Sequence, residues 1–134
     1  MILGSVNTNR EASVRLVIVG EDKRTQVVDG VINTGYTGEL MIPATVIQAL
    51  RLPILGVQEA TLGNDERTLF ETYSGAVIWD GTLKDVEIIA SKISALVGMS
   101  LLEGYKLEIE GKPNGLVRIE QMTYAISDEA NSGR

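Results

Sequence analysis

The segment Val31–Pro43, VINTGYTGELMIP, decides how the chain is interpreted. An apolar run enters the polar turn Asn33-Thr34-Gly35, a second glycine follows at Gly38, and apolar residues then resume. On composition alone this is an ordinary turn after a strand. Its meaning depends on what the rest of the chain places around it.

The composition restricts the chemistry that the chain can perform. Its 134 residues suit one domain with its own core, and 44% hydrophobic content is typical of a globular fold. The chain contains neither cysteine nor histidine, which excludes disulfides, thiolate metal sites and Ser-His or Cys-His catalysis. A net charge of −6 disfavours phosphate backbones, so we expect no nucleic-acid partner.

The ends of the sequence carry no targeting signal. No apolar run approaches the roughly 18 residues of a membrane span, and the opening MILGSVNTNR lacks a secretory pattern. We therefore expect no membrane partner and, given the missing cysteines, a cytoplasmic location. The polar stretch 125–134, AISDEANSGR, predicts a disordered tail and leaves residues 1–124 as a single domain.

Alternation of apolar and polar residues predicts a mainly β domain. SVRLVIV and VVDGVI indicate a hairpin that leads into the Asn33 turn, and the range Val57–Ile78 indicates a long hairpin with its tip at Gly63–Glu66. VEIIA, the LV before Gly98 and a final hairpin in YKLEIEGKPNGLVRIEQM bring the total to about seven or eight strands. These strands predict a barrel-like or sandwich fold.

Two short helices interrupt the strands. In MIPATVIQALRLP, Pro43 is predicted to be the first helical residue and Pro53 to end the helix. A second short helix is predicted after Gly98, with Gly104 ending it. The acidic residues lack metal-loop spacing, and no GxGxxG or P-loop occurs, so we expect no metal and no organic cofactor.

Three features in a fixed order resemble the retropepsin-like (clan AA) aspartic proteases, and most closely their single-lobed bacterial members. VINTGYTGELMIP is similar to the active-site loop of that family, in which an apolar strand runs into Asp-Thr/Ser-Gly. About sixty residues later, ALVGMSLLEGYKLEIE is similar to the second family signature, in which two hydrophobic residues and a glycine precede a short helix. The long hairpin lies where the family carries its flap, so the resemblance covers roughly residues 12–122.

The resemblance implies a closed β-barrel, the acid-protease lobe, that works only as a homodimer, because each subunit supplies one catalytic Asp. Two carboxyl groups about 3 Å apart share one proton. The ionised group activates a water that attacks the peptide carbonyl, and the protonated group stabilises the oxyanion. The segments MILGSV and LVRIEQMTY are apolar enough to pair at the dimer interface.

The site residues follow from the family pattern. Asn33 occupies the position of the catalytic Asp, Thr34 that of the residue bracing the two loops across the dimer axis, and Gly35 that of a glycine allowing close substrate approach. The flap spans roughly Ala60–Tyr73 and closes over an extended peptide. The substrate-binding positions are Tyr36, Thr37, Leu62, Gly63, Asn64, Asp65, Val97 and Gly98, with Ile32 and Leu69 as further candidates for apolar subsite walls.

Asn33 is the departure that decides the chemistry. An amide is nearly isosteric with a carboxyl group but cannot accept the proton of the water, and losing a general base costs about 10² to 10⁴ in rate. We therefore predict that this chain does not cleave peptides. Three explanations stay open: an inactivating substitution, which the retained pattern around Asn33 favours; a natural pseudoprotease that binds extended peptides; and an unrelated β-barrel interaction module.

Overall fold

A computed structural model describes residues 1–61 and 66–123 of the chain. The predicted flap tip, Gly63 to Asp65, the predicted binding residue Leu62 and the predicted tail, 125–134, lie outside the described residues. The described part is mainly β, with 58% of the described residues in strands. None of its helices is long and apolar enough to cross a membrane.

The described residues form ten strands and two α-helices. The strands are β1 (Ile2–Val6), β2 (Ala12–Val19), β3 (Thr25–Ile32), β4 (Leu40–Pro43), β5 (Ile54–Thr61), β6 (Arg67–Trp79), β7 (Thr82–Ser91), β8 (Ala95–Val97), β9 (Tyr105–Ile109) and β10 (Leu116–Gln121). The helices are α1 (Ala44–Ala49) and α2 (Met99–Leu102), and a single 3-10 turn covers Glu21–Lys23.

Six strands close into a barrel. They follow the order β6, β7, β4, β8, β3, β2, and β2 pairs back onto β6 to complete the ring. The pairs β3–β8 and β4–β7 are parallel, whereas the other pairs are antiparallel. The sheet continues outside the barrel, through β5 on one side and through β1, β10 and β9 on the other. The predicted closed β-barrel is thereby confirmed.

Alternation along the strands fills the barrel. Val14, Leu16 and Ile18 point inward from β2 and are at most 2% exposed, as the sequence predicts. Each helix adds two buried side chains, Val46 and Ile47 from α1 and Leu101 and Leu102 from α2. Burying a side chain of this size contributes about 1.5 to 3 kcal/mol, so the helices are held by the core rather than by their own short length.

Two strands, β1 and β4, were not predicted. Pro43 is the last residue of β4 and precedes α1 instead of opening it, with φ −58° and ψ 145°. This extended backbone pairs with β7 in parallel, and Leu40 and Ile42 are fully buried. The sequence prediction missed β4 because Ile42 also fits the helical spacing of α1. Four residues are too few to show the two-residue period of a strand clearly.

The two apolar terminal segments pair with each other in one chain. β1 lies antiparallel to β10, with Gly4 opposite Val117, and its other edge pairs with β2. β10 in turn pairs with β9, which leaves β9 as an end strand of the sheet. Any β-sheet contact with a second copy on this side of the chain would therefore involve β9.

Candidate functional site

The Asn33 turn begins where β3 leaves the barrel. The Asn33 backbone N–H donates to the carbonyl of Val97 (2.9 Å), which continues the parallel pairing of β3 with β8. The Asn33 side-chain Oδ1 accepts from the Gly35 N–H (2.9 Å), and the Tyr36 N–H donates to the Asn33 carbonyl (3.1 Å). Asparagine and aspartate both favour this turn because a side-chain oxygen can accept from the backbone two residues further on. The turn therefore tolerates either residue at position 33.

Residues 98–100 hold the loop that follows the turn, and we call this set of contacts the clasp. Four successive loop carbonyls, of residues 36 to 39, each accept one hydrogen bond from it. The Met99 N–H donates to the carbonyl of residue 36 (2.8 Å), and the Gly98 N–H donates to the carbonyl of residue 39 (2.9 Å). Ser100 donates twice, from its hydroxyl to the carbonyl of residue 37 (2.6 Å) and from its N–H to the carbonyl of residue 38 (3.1 Å). The loop therefore has a fixed path without any secondary structure of its own.

Gly98 is required by the close approach in the clasp. A Cβ atom at this position would lie 2.1 Å from the carbonyl oxygen of Gly38 and 2.6 Å from Cδ2 of Tyr36. A Cβ at Gly38 would lie 2.3 Å from the Tyr36 hydroxyl oxygen. The tyrosine side chain therefore lies against both glycines, and this packing places it at the wall of a cleft.

The cleft has a volume of about 570 Å³ and lies between the clasped loop and the β5–β6 hairpin. Gln58 and Phe70, which are opposite one another in this hairpin, form one side. The full lining comprises Gly35, Tyr36, Thr37, Gly38, Glu39, Met41, Gln58, Phe70, Glu87, Ile89 and Ser100. A space of this size suits several side chains of a bound peptide.

Three of the predicted site residues, Gly35, Tyr36 and Thr37, line this cleft. Thr34 lies instead in a second concavity of about 500 Å³, together with Ile32. The full lining of this second concavity is Val6, Arg10, Glu11, Ala12, Val31, Ile32, Thr34, Ile109, Gly111, Lys112 and Pro113. The loop thus contributes residues to both concavities. Asn33, which is half-buried, lines neither of them and lies between Ile32 and Thr34 in the chain.

The remaining predicted residues have other roles in the described chain. The Val97 side chain is fully buried in the core, and its backbone carbonyl rather than its side chain reaches the turn. Leu96, which points to the opposite face of β8, is half-buried. Leu69 is 69% exposed, and the next residue of β6, Phe70, faces the cleft instead. Gly98 is buried and acts through the clasp.

Sequence reasoning missed several residues of the site. Ser100 supplies two bonds of the clasp, and Glu39 and Glu87 supply the charges of the cleft. The alternation of Glu87 with Ile89 in β7 shows that they share a face, but only the barrel topology turns that face toward the loop.

The two glutamates act on the Tyr36 hydroxyl. Burial, followed by the charges of Glu87 and Glu39, raises the pKa of Tyr36 to about 12. The Glu39 carboxylate also accepts a hydrogen bond from the Glu87 backbone N–H (2.9 Å), which fixes it beside β7. Tyr36 is therefore a neutral phenol, able to donate a hydrogen bond, at every physiological pH.

No group of three or more potential metal ligands occurs in the part of the chain that the structure describes. No protein-family model matches the chain, and no curated protein matches it by sequence. Among solved structures, a retropepsin-like aspartic protease from Rickettsia conorii is similar, with a TM-score of 0.57 and 17% sequence identity. The alignment covers 92% of this chain and 91% of that chain. This similarity establishes the retropepsin-like fold.

Gly98→Ala is expected to destabilise the protein, because the added Cβ would collide with backbone and aromatic atoms that cannot both move away. Overpacking of this kind costs about 1 to 3 kcal/mol. Urea unfolding followed by circular dichroism measures the change. Gly111→Ala is the matched control, because a Cβ there would meet nothing within 4 Å. Equal stability of the two variants would contradict the close approach.

Tyr36→Phe tests the environment of the phenol. The pKa of Tyr36 is raised in the folded state, so its contribution to stability is complete below the ordinary value of 10.0 and is lost as pH rises toward about 12. The free energy of unfolding should therefore fall less steeply above about pH 10 in Tyr36→Phe than in the parent chain. Tyr73→Phe is the comparison variant, since a hydrogen bond from Tyr73 to Glu71 also raises the pKa of Tyr73. A Tyr36→Phe slope equal to that of the parent would contradict the assignment.

Proposed function

We propose that this chain is one subunit of a homodimeric retropepsin-like aspartic endopeptidase in which Asn33 preserves the binding of extended peptides and removes hydrolysis. The observation that carries the proposal is the placement of the Asn33 turn and the clasped loop that follows it beside a cleft of about 570 Å³ under the β5–β6 hairpin. An exposed hairpin edge can add strand-like hydrogen bonds to a peptide lying in such a cleft.

The amide of Asn33 supports peptide binding without catalysis. Its oxygen accepts the Gly35 N–H as a carboxylate oxygen would, so the loop keeps its path. An amide nitrogen carries two protons and has no free electron pair for the proton of a water. Two such amides facing each other in a dimer cannot share a proton in the way that two carboxyl groups do.

Among the described residues, the proposal assigns no other acid to the role of the missing carboxylate. Asp29, four residues before Asn33 on β3, is 68% exposed and lies 3.5 Å from Arg15 in a surface ion pair. Of the acids that line the cleft, Glu39 is engaged with the backbone of β7 and Glu87 is on β7 itself. The general base is therefore expected to be absent, which agrees with the inactivity predicted from the sequence.

The second concavity supports the homodimer. It contains Thr34, the residue that braces the two loops in the family pattern, and it is lined by the apolar residues Val6, Ala12, Val31, Ile32, Ile109 and Pro113. Beside it lies β9, the end strand of the sheet. A second copy that covers this surface would bring the two Asn33 turns together and complete one peptide site from two chains.

Asn33→Asp is expected to gain peptidase activity that the parent chain lacks, by at least about 10² in rate, because the dyad regains its general base. Cleavage of a mixed peptide pool is measured for both forms between about pH 3 and about pH 7, where a coupled dyad titrates. Asn9→Asp, which adds the same charge at an exposed position, is the control and should stay inactive.

The other outcomes separate the alternatives. If Asn33→Asp forms dimers but cleaves no peptide, the result would contradict the endopeptidase and favour a pseudoprotease that only binds peptides. If Asn33→Asp cleaves no peptide and the chain is monomeric, the result would favour an unrelated β-barrel interaction module.

Sedimentation equilibrium of the parent chain is expected to show a species of twice the 14.5 kDa chain mass. Ile109→Lys should shift that species toward monomer, because Ile109 lines the second concavity and is 47% exposed in a single chain. Ile93→Lys, at an 86% exposed position that lines neither concavity, is the control. A parent chain that stays monomeric at high concentration would contradict the proposed dimer.

A further inference from the structure

We infer that the cleft selects extended peptides carrying a lysine or arginine side chain at the position that faces Tyr36, with Glu39 and Glu87 as the specificity-determining residues. The inference names the substrate class of the cleft and therefore rests on the proposed peptide binding. It follows from the charges and the apolar walls that the cleft brings together.

The charge of the cleft has one sign. Of its eleven lining residues only Glu39 and Glu87 are charged, and no lysine or arginine is among them. Within the described residues neither glutamate forms an ion pair with a basic side chain, although four ion pairs occur elsewhere. Within the described residues the cleft therefore holds two carboxylates without a basic partner, and a cation bound in the cleft would supply the countercharge.

The two carboxylates belong to different elements that meet at Tyr36. Glu39 ends the clasped loop and Glu87 lies on β7. The Glu87 backbone N–H donates to the Glu39 carboxylate (2.9 Å), which joins the loop to β7. Both are close enough for their charges to act on the Tyr36 hydroxyl. Their arrangement is thus built by the fold, because the loop and β7 are placed by the clasp and by the barrel.

The walls beside the carboxylates are apolar. Met41, Phe70 and Ile89 line the same cleft and offer surface to a methylene chain. Lysine and arginine combine such a chain with a terminal cation, so they can cover the apolar wall and still reach a carboxylate. A purely apolar side chain would remove water from the two carboxylates without replacing it, and an acidic side chain would be repelled.

The experiment measures binding to the chain as it stands, since Asn33 is expected to leave bound peptides uncut. The probes are fluorescein-labelled pools of eight-residue peptides in which one position at a time is lysine, norleucine or glutamate. Norleucine is the matched control for lysine because it keeps the methylene chain without the charge. Fluorescence anisotropy should show one position at which the lysine pool binds about three- to tenfold more tightly than the norleucine pool, and the glutamate pool most weakly. High salt should reduce the difference.

Variants of the two glutamates locate the preference. Glu39→Gln and Glu87→Gln should each weaken the lysine pool about two- to fivefold, and the double variant should bind lysine and norleucine pools equally. Norleucine binding, which should stay unchanged, shows that each variant is folded. Glu120→Gln removes an exposed carboxylate of β10 that lines neither concavity, and it should keep the full preference.

The outcomes distinguish this inference from the proposed function. Equal binding of lysine and norleucine pools by the parent chain would overturn the specificity and leave peptide binding in place. A lysine preference that survives in the double variant would also overturn it. Failure of every pool to bind would overturn the proposed peptide binding, and the specificity with it.

Discussion

The close approach of the Gly98 backbone to the loop of residues 36–39 is the constraint on which the site depends. It brings four loop carbonyls within reach of donors at residues 98–100, and it leaves room for the Tyr36 ring only because Gly38 and Gly98 have no side chain. The Gly98 carbonyl also accepts from the first turn of α2, whose Leu101 is fully buried. The loop is therefore tied to the core through residues 98–100, and its fixed path comes from the packing of the barrel.

This construction makes the path of the loop independent of the charge at position 33. The Asn33 N–H is fixed by Val97, and the side-chain oxygen by the Gly35 N–H, and neither bond needs a carboxylate. In the proposed peptidase, binding and hydrolysis are thus separable, because the loop keeps its path with either residue while only a carboxyl group at position 33 of each subunit could deprotonate a water.

The sequence predicted those features whose signal is local. Alternation identified the strands of the β2–β3 and β5–β6 hairpins, and the glycine after Val97 indicated the start of a short helix. The short strand β4 was concealed because four residues show too little of a two-residue period beside a helix. Val97 was assigned to a substrate wall because sequence alone does not fix which face of β8 is inward, whereas its neighbour Leu96 lies on the other face. Glu39 and Glu87 were missed because 48 residues separate them and only the parallel pairing of β4 with β7 brings them together.

The negative charge of the cleft has a consequence for the residue at position 33. In the proposed dimer with aspartate at this position, two carboxyl groups would lie beside clefts that already contain Glu39 and Glu87. Like charges in a partly desolvated space oppose one another's ionisation, and the repulsion persists whenever no cation is bound. Asparagine keeps the hydrogen bond that shapes the turn and adds no charge to this set. An uncharged residue at position 33 therefore adds no repulsion beside the cleft, which agrees with the peptide binding proposed for this chain.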